Sequence, residues 1–352
     1  MDSLSIEELR EEIAQLDRDI MDLVGRRISV AKRIGVWKNE NGRPIRDPDV
    51  EDVVVQRYVE SGDGHGISAR TSTEVARALI REAVDVQASL PRKSPSKNIL
   101  IIGGLGKMGQ WLERFLSDDG HNVHILDVDG PDLEVAVLDM DVIIISTPIS
   151  SVKQILKQLD SLDTDALIFD VSSLKSPFSS LLKDMAQRLS VCSVHPMFGP
   201  SVPSLYDRNI LFCDCGDTDS VLRAMELFDG HGANMVRTTL DNHDRRMAYV
   251  LGMGHAVNVA FMTALADSGM DYGNLKESGS TTFRKMMEGV EEVSQENPHL
   301  YYEIQNLNDN ARITWSRFME AVDKVMDASL DGSPHKFVEI MEKGRSYLDH
   351  SR

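Results

Sequence analysis

The sequence predicts a multidomain chain: an all-α N-terminal domain, a parallel α/β domain and a second all-α domain. Three patterns predict it. Ile6, Leu9, Ile13, Leu16, Ile20 and Leu23 fall at alternating steps of three and four, which marks one face of a long helix over 4–39. Between 98 and 195, short apolar runs alternate with amphipathic stretches, as the strands and helices of a parallel sheet do. From about Asp241 onward the spacing is helical again.

The first helix continues through Val30 and Ile34 and is broken by Asn41-Gly42-Arg43-Pro44. Two more helices are expected at about 49–61 and 71–90, separated by Gly62–Gly66. One long and two short helices enclose little core, so this domain (1–90) is expected to pair with a second copy. Residues 91–97, containing Pro91-Arg92-Lys93-Ser94-Pro95-Ser96, have linker composition. The α/β domain (98–240) is read as strand 98–102, helix 107–118, strands 122–127 and 141–147, helix 150–159, strand 166–171, helix 176–189 and strand 191–195. The last domain (241–352) is read as helices 242–268, 279–295, 298–328 and 334–348.

Composition narrows the function. A formal net charge of −18 argues against nucleic acid, because phosphate binding needs a basic surface. Anions must then be met by locally gathered cations. The longest apolar runs, such as Asn98–Ile102 and Val142–Ile145, are far shorter than a membrane span. The acidic N-terminus (Asp2, Glu7, Glu8, Glu11, Glu12) has the wrong charge for a targeting peptide. Cys192, Cys213 and Cys215 match no zinc or disulfide spacing, so no metal is expected. A soluble, cytoplasmic protein is the expectation.

The strand ending at Ile102 runs into Gly104-Leu105-Gly106-Lys107-Met108-Gly109, and a helix follows. Glycines there let the backbone turn tightly and approach a pyrophosphate, whose charge meets the helix N-terminus. Asp127 ends the second strand 18 residues past Gly109, placed to accept hydrogen bonds from ribose hydroxyls and to repel a 2′-phosphate. This Rossmann pattern favours NAD over NADP. Thr147 and Pro148 end the next strand, at the sheet edge where a dinucleotide lies, a place that equally suits a helix entry capped by Ser150 or Ser151.

Val194-His195-Pro196-Met197-Phe198-Gly199-Pro200 follows a predicted strand, and a histidine held by such turns suits a general base. With Ile-Ile-Gly-Gly-x-Gly-x-Met-Gly, Asp170-Val-Ser-Ser-Leu-Lys175 and His243-Asp244, it makes the segment from Asn98 to the C-terminus resemble the prephenate dehydrogenase family. The resemblance implies that His195 accepts a hydrogen bond from the ring 4-hydroxyl of prephenate while hydride leaves for NAD. Ser173 would orient that hydroxyl, Arg284 would bind a substrate carboxylate, and His255 would be a second active-site histidine. A planar guanidinium suits a carboxylate because it can grip it bidentately. His243-Asp244 reads instead as a structural pair at a helix start.

The first 90 residues resemble the AroQ-type chorismate mutase domain through Leu9-Arg10-Glu11-x-Ile13-x-x-Leu16-Asp17, Arg26-Arg27, Gly35-x-x-Lys38, Arg43-Pro44-Ile45-Arg46-Asp47 and Gln87. The resemblance implies that Arg10, Arg27 and Lys38 bind the chorismate carboxylates. Lys38 and Gln87 would donate to the ether oxygen, where negative charge builds as the bond breaks. Asp47 and Glu51 would hold the substrate hydroxyl. Helix geometry adds a constraint. Lys38 lies 11 residues after Arg27, roughly 16 Å along the axis on nearly the same face, whereas Arg10 lies 17 residues before it, roughly 25 Å away. Arg10 must therefore come from an antiparallel second subunit, which predicts a homodimer. Val50 stands where some members carry arginine and Ala83 where some carry serine, departures that would weaken chorismate binding.

The expected function is a mutase fused to an NAD-dependent dehydrogenase, taking chorismate through prephenate to 4-hydroxyphenylpyruvate for tyrosine synthesis. An arogenate or cyclohexadienyl dehydrogenase is the near alternative. A β-hydroxyacid dehydrogenase lacks its helix lysine motif here. A non-enzymatic NAD-responsive dimer is disfavoured by Arg10, Arg27, Lys38 and Gln87.

Overall fold

Ser5 and Glu8 start the first helix, α1 (Ile6–Glu40). The Ser5 hydroxyl accepts from the Glu8 amide at 3.2 Å and the Glu8 carboxylate from the Ser5 amide at 2.7 Å, closing a capping box. At 1.5 Å per residue its 35 residues make a rod about 52 Å long. Asp47 caps α2 (Pro48–Asp63), which has proline in its first turn, and Ser68 caps α3 (Ala69–Ala88). α3 packs on both other helices. Gly35 permits the closest approach: a Cβ there would lie 2.6 Å from Gln87 Cγ and 2.7 Å from Leu90 Cδ1. Ile45, Ile80 and Val84 form a small core, against which Val54, Val55, Ala88 and Tyr206 pack. Most of α1 stays uncovered, with Ile6, Leu9, Ile13, Leu16, Ile20 and Leu23 42–60% exposed.

The computed structural model describes residues 5–90 and 95–349, so much of the expected linker at 91–97 lies outside the described residues. Packing divides the chain into two units. One comprises residues 1–147, 154–171 and 181–238, and the other residues 148–153, 172–180 and 239–352.

The sheet runs through β1 (Asn98–Ile102), α4 (Lys107–Asp118), β2 (Asn122–Leu126), α5 (Leu133–Ala136), β3 (Val142–Ile145), α6 (Ile149–Asp160), β4 (Leu167–Asp170), α7 (Ser179–Met185) and β5 (Val191–Pro196). It continues with β6 (Asn209–Asp214), α8 (Thr218–Glu226) and β7 (Asn234–Thr239). Its order is β2-β1-β3-β4-β5-β6-β7. β1 to β5 pair in parallel and β6 runs antiparallel to β5 with His195 opposite Leu211. The parallel strands are continuous apolar runs because both faces are covered, and Ile99, Ile144, Phe169 and Val194 sit in one fully buried core. The expected alternation is present up to β5. Beyond it the sheet continues through β6, α8 and β7, and β7 is partly exposed without the alternation of a half-buried strand.

The second unit is helical: α9 (Leu240–Met247), a π-helical turn at Ala248–Met253, α10 (Gly254–Asp267), α11 (Tyr272–Glu277), α12 (Thr281–Ser294), α13 (Pro298–Asn306), α14 (Ala311–Leu330) and α15 (His335–Asp349). Two expected long helices are thus interrupted. The 242–268 stretch holds the π turn, and 298–328 breaks at Asn308, whose side chain accepts from the Asn310 amide at 2.9 Å. One helical stretch is more apolar as a whole than any single run within it. Leu240–Asp267 is long and apolar enough to cross a membrane by length and composition, with an 18-residue window of mean hydropathy 1.4 that is 17% buried. Its apolar residues are spread among small ones rather than forming a run.

Candidate active sites

The glycine loop lies between β1 and α4, and β1 is flanked by β2 and β3, where the strand order reverses and α/β sheets bind ligands. Gly106 caps α4 without a side-chain hydrogen bond, so no side chain screens the first-turn amides. A Cβ at Gly109 would come within 2.4 Å of the Gly103 carbonyl oxygen, so only glycine lets the helix sit this close to the loop. Leu105, Gly106 and Lys107 are exposed, Met108 is half-buried and Gly104 is buried. Asp127 follows β2, and its carboxylate accepts from the Leu105 amide at 3.1 Å and the Val128 amide at 3.0 Å. It therefore braces the loop it was expected to complete. The Thr147 hydroxyl, just past β3, is buried with no hydrogen-bond partner among the described residues. A close-packed glycine cradle, a carboxylate at the end of β2 and an orphaned hydroxyl fit a dinucleotide. Pro148 falls in the second unit and is exposed.

His195 is on β5, buried at 4% exposure. Two residues earlier, Ser193 donates to the buried Asp170 carboxylate at 2.5 Å, fixing β5 against the last residue of β4.

The second unit holds Ser173, His255 and Arg284. Ser173 is half-buried in the segment after β4, and that segment is anchored by Asp244. The Asp244 carboxylate accepts from the Lys175 amide at 2.9 and 3.0 Å and from the Ser176 amide at 2.5 Å, and also from the Ser176 hydroxyl. His243 Nδ1 lies 2.7 Å away. Burial alone would raise the pKa of Asp244, but hydrogen bonds from His243 and Ser176 take it below the usual carboxylate value. Lys175, fully buried, donates through Nζ to the Ser172 carbonyl at 2.8 Å. The pair thus has the structural role the sequence pointed to.

His255 follows the π turn, whose Gly252 carbonyl accepts from Gln305 at 2.7 Å. Its ring stacks on Tyr301 at 4.1 Å, its Nδ1 is buried with no partner among the described residues, and burial lowers its pKa, leaving it neutral near pH 7. Burial raises the Tyr301 pKa, and the carboxylates of Glu296 and Glu292 raise it further. Arg284 is exposed on α12, which packs on α10 through Phe283 against Phe261 and Gly289 against Asn258. Tyr301 had no signal in the sequence, because nothing in Leu300-Tyr301-Tyr302 says which aromatic faces inward.

In the N-terminal helices, the packing at Gly35 brings Gln87 within a turn of Lys38. Gln87 is 6% exposed, and its Oε1 has no partner among the described residues. Lys38 donates to the Ile45 carbonyl, and burial lowers its pKa against the opposing pull of Asp47 and Glu51. Arg27 donates to the Leu79 carbonyl at 2.7 Å, and Asp47 caps α2 by accepting from Val50 at 3.3 Å. Glu51 pairs with Arg46 at 3.2 Å and accepts from the Tyr206 hydroxyl at 3.3 Å. Arg10 is exposed, as is Val50, and Ala83 is buried. Arg46 stood in the sequence motif without a role, and Tyr206 was absent from the sequence expectation. A cavity of about 800 Å³ opens between α3 and α4, with Asp85, Arg114 and His231 among its lining, and none of the expected site residues lines it.

The glycine cradle and the carboxylate after β2, preceded by cation-bearing helices, define a nucleotide-dependent enzyme joined to a helical anion-binding module. Residues 9–88 match chorismate mutase type II, 112–237 the nucleotide-binding domain of prephenate dehydrogenase, and 239–343 its dimerization domain. The chain belongs to the prephenate dehydrogenase family and carries a type II chorismate mutase domain in front. The T-protein of Enterobacter agglomerans is 25% identical over 350 residues, 98% of this chain and 93% of that one. The 4-amino-4-deoxyprephenate dehydrogenase of Streptomyces pristinaespiralis is 26% identical over 268 residues, 71% of this chain and 90% of that one. The fold is shared with prephenate dehydrogenase from A. aeolicus, solved with hydroxyphenyl propionate and NAD+, at TM-score 0.59 and 16% identity, over 74% of this chain and all of that one. The nucleotide-binding match begins at residue 112, after the glycine loop, so the loop rests on its own geometry.

The depressed pKa of Asp244 makes its contribution to stability dependent on pH. That contribution is complete above the unfolded carboxylate value of about 3.9 and is lost as pH falls through the lower folded value. Asp244→Asn should therefore lower the urea midpoint most near neutrality, and the gap to wild type should close at low pH. A gap that stays constant down to pH 2.5, or about that, would show that its charge is not what anchors the segment.

Proposed function

We propose that this chain rearranges chorismate to prephenate in its N-terminal helices and oxidatively decarboxylates prephenate to 4-hydroxyphenylpyruvate in the remainder. The observation that carries this is the order of three domains on one polypeptide: a mutase, then both halves of a prephenate dehydrogenase.

In the mutase, Arg27, Lys38 and Arg10 of the partner subunit hold the two carboxylates. Lys38 and Gln87 donate to the ether oxygen as charge develops on it, so the transition state is held more tightly than the substrate. Partial burial of Lys38 and Gln87 strengthens those donations by lowering the local dielectric. Asp47 and Glu51 face the substrate hydroxyl. The dimer this needs is supported by the uncovered apolar face of α1 and by the dimerization domain at the C-terminal end.

In the dehydrogenase, residues 104–109, Asp127, Thr147 and Pro148 hold NAD, which when bound supplies the acceptor for the hydride leaving ring carbon 4. His195 takes the hydrogen bond, and then the proton, of the ring hydroxyl and returns it to the phenolate oxygen that decarboxylation leaves, and Ser173 orients that hydroxyl. Arg284 binds a carboxylate, and neutral His255 offers a hydrogen bond without adding charge. Carbon dioxide departs as the ring becomes aromatic, which makes the step irreversible.

A second substrate reading is favoured by the mutase departures. Val50 stands in place of a cation beside Glu51 and Ala83 in place of a hydroxyl, so Asp47 and Glu51, the latter still paired with Arg46, would meet a ring ammonium more readily than they would with that second cation present. The relationship to the 4-amino-4-deoxyprephenate dehydrogenase agrees with that polarity. An ammonium must shed a proton as the hydride leaves, so the amino substrate releases one proton more per turnover than prephenate does.

His195→Asn should cut NADH formation from prephenate by about a hundredfold or more and leave chorismate loss unchanged, and Lys38→Ala should do the reverse. Loss of both activities in either variant would refute the partition. Mixing Lys38→Ala with Arg10→Ala chains should restore about a quarter of the mutase activity, since half of the shuffled dimers hold one intact site. No recovery after subunit exchange would place Arg10 outside the site. Turnover of 4-amino-4-deoxyprephenate, followed by NADH and by acid release in weak buffer, tests the second reading. Activity with prephenate alone would sink it and leave the first intact.

A further inference from the structure

Glu51 is held from outside the helices that carry it. Its carboxylate accepts from Arg46 Nε at 3.2 Å and from the Tyr206 hydroxyl at 3.3 Å, and Tyr206 lies in the loop between β5 and β6 of the dinucleotide-binding sheet. Arg46 is gripped from the same side. Its Nη1 donates to Asn234 Oδ1 at 2.5 Å and its Nη2 to Asp207 Oδ1 at 3.3 Å, and the guanidinium lies 5.1 Å from the centre of the Tyr206 ring. Asp207 takes a left-handed backbone conformation, φ 57°, in which its amide donates to the Gly232 carbonyl at 3.0 Å. Aspartate tolerates this region better than most residues, and strain of this kind persists only where the surroundings enforce it.

The side chains of Arg46 and Glu51 are 21% and 16% exposed, so solvent screens their pairing less than it would an ordinary surface bridge. The Tyr206 ring already packs on the core of Ile45, Ile80 and Val84. Among the described residues, the hydrogen bond of its hydroxyl goes to Glu51. Burial and the Glu51 charge both raise the Tyr206 pKa, which keeps that hydroxyl a donor.

We propose that Tyr206 and Asp207, both carried by the dinucleotide-binding domain, are positioning residues of the mutase site: Tyr206 orients the Glu51 carboxylate directly, and Asp207 does so through Arg46. The mutase half is thus completed by the dehydrogenase half of the same chain. The proposal rests on Glu51 facing the substrate hydroxyl. Orientation of such a group acts on substrate binding more than on bond making, because the charge of the transition state develops at the ether oxygen.

The test uses the full chain, with chorismate loss and prephenate-dependent NADH formation measured separately. Tyr206→Phe keeps the ring and its packing. It should raise KM for chorismate about three- to tenfold with kcat nearly unchanged, and leave the dehydrogenase constants and melting temperature at their wild-type values. Glu51→Gln should also impair the mutase, and the double variant should be no worse than Glu51→Gln alone, since Tyr206 acts through Glu51. Additive losses, an unchanged KM in Tyr206→Phe, or an equal fall in both activities with a lower melting temperature would each overturn the proposal. If Glu51→Gln itself leaves chorismate turnover intact, the assignment of Glu51 has failed and the proposal falls with it. If Glu51→Gln impairs turnover while Tyr206→Phe does not, the proposal alone is wrong.

Discussion

The buried carboxylate of Asp244 is the point on which the helical unit depends. At 3% exposure a charge is costly unless it is paired and hydrogen-bonded, and here His243, two backbone amides and a serine hydroxyl satisfy it. Those amides belong to Lys175 and Ser176, which follow β4 rather than a C-terminal helix. The carboxylate therefore recruits a piece of a sheet crossover into the helical unit, and the half-buried Ser173 comes with it. The Asp244 backbone carbonyl accepts from Asn308 at 2.9 Å, so the break between α13 and α14 is tied to the same residue. An aspartate does this better than an amide because its oxygens accept only, and every neighbour here donates.

Charge organises the rest of the chemistry. A chain of net charge −18 that works on dianions must gather its cations and keep its acids occupied. Several acids are occupied by the protein itself: Asp47 caps a helix, Glu51 pairs with Arg46, Asp127 holds two amides and Asp244 holds a loop. The cations Arg27 and Lys38 are half-buried and spend their donors on backbone carbonyls, which are neutral partners that a carboxylate can displace. His255 supplies polarity without charge, because its burial keeps it neutral beside Tyr301.

What was legible in the sequence follows from how local each signal is. The glycine loop, Asp127 and the strand–helix rhythm up to β5 are written in adjacent residues, and the structure has them in the expected order. The break of α13 from α14 was not legible, because its cause is a side-chain bond from Asn308 and helical periodicity runs through it. β7 was missed because a largely exposed strand lacks the alternation that betrays one. The Arg46–Glu51–Tyr206 junction was illegible for a different reason. Its members lie 5 and 155 residues apart, and only the fold says that the β5–β6 loop meets α2. Sequence motifs named Glu51, and geometry supplied what holds it.

Two apolar surfaces remain, and they constrain assembly. α1 leaves a row of large aliphatic residues about half exposed along much of its length, and Leu240–Asp267 is 17% buried over its most apolar window. Burying a side chain of this size is worth about 1.5–3 kcal/mol, so half-exposed rows forgo on the order of 1 kcal/mol per residue. A helix about 52 Å long whose only buried residues are Ala31 and Gly35 cannot draw its stability from its own domain. In the dimer proposed for the mutase, a second copy laid antiparallel along α1 would cover that row and, by the same rotation, would carry Arg10 toward Lys38. The apolar helix at the other end lies in the part of the chain that matches a dimerization domain, and it makes the same demand. One two-fold axis that serves both surfaces gives a closed dimer, whereas two different axes would build larger assemblies.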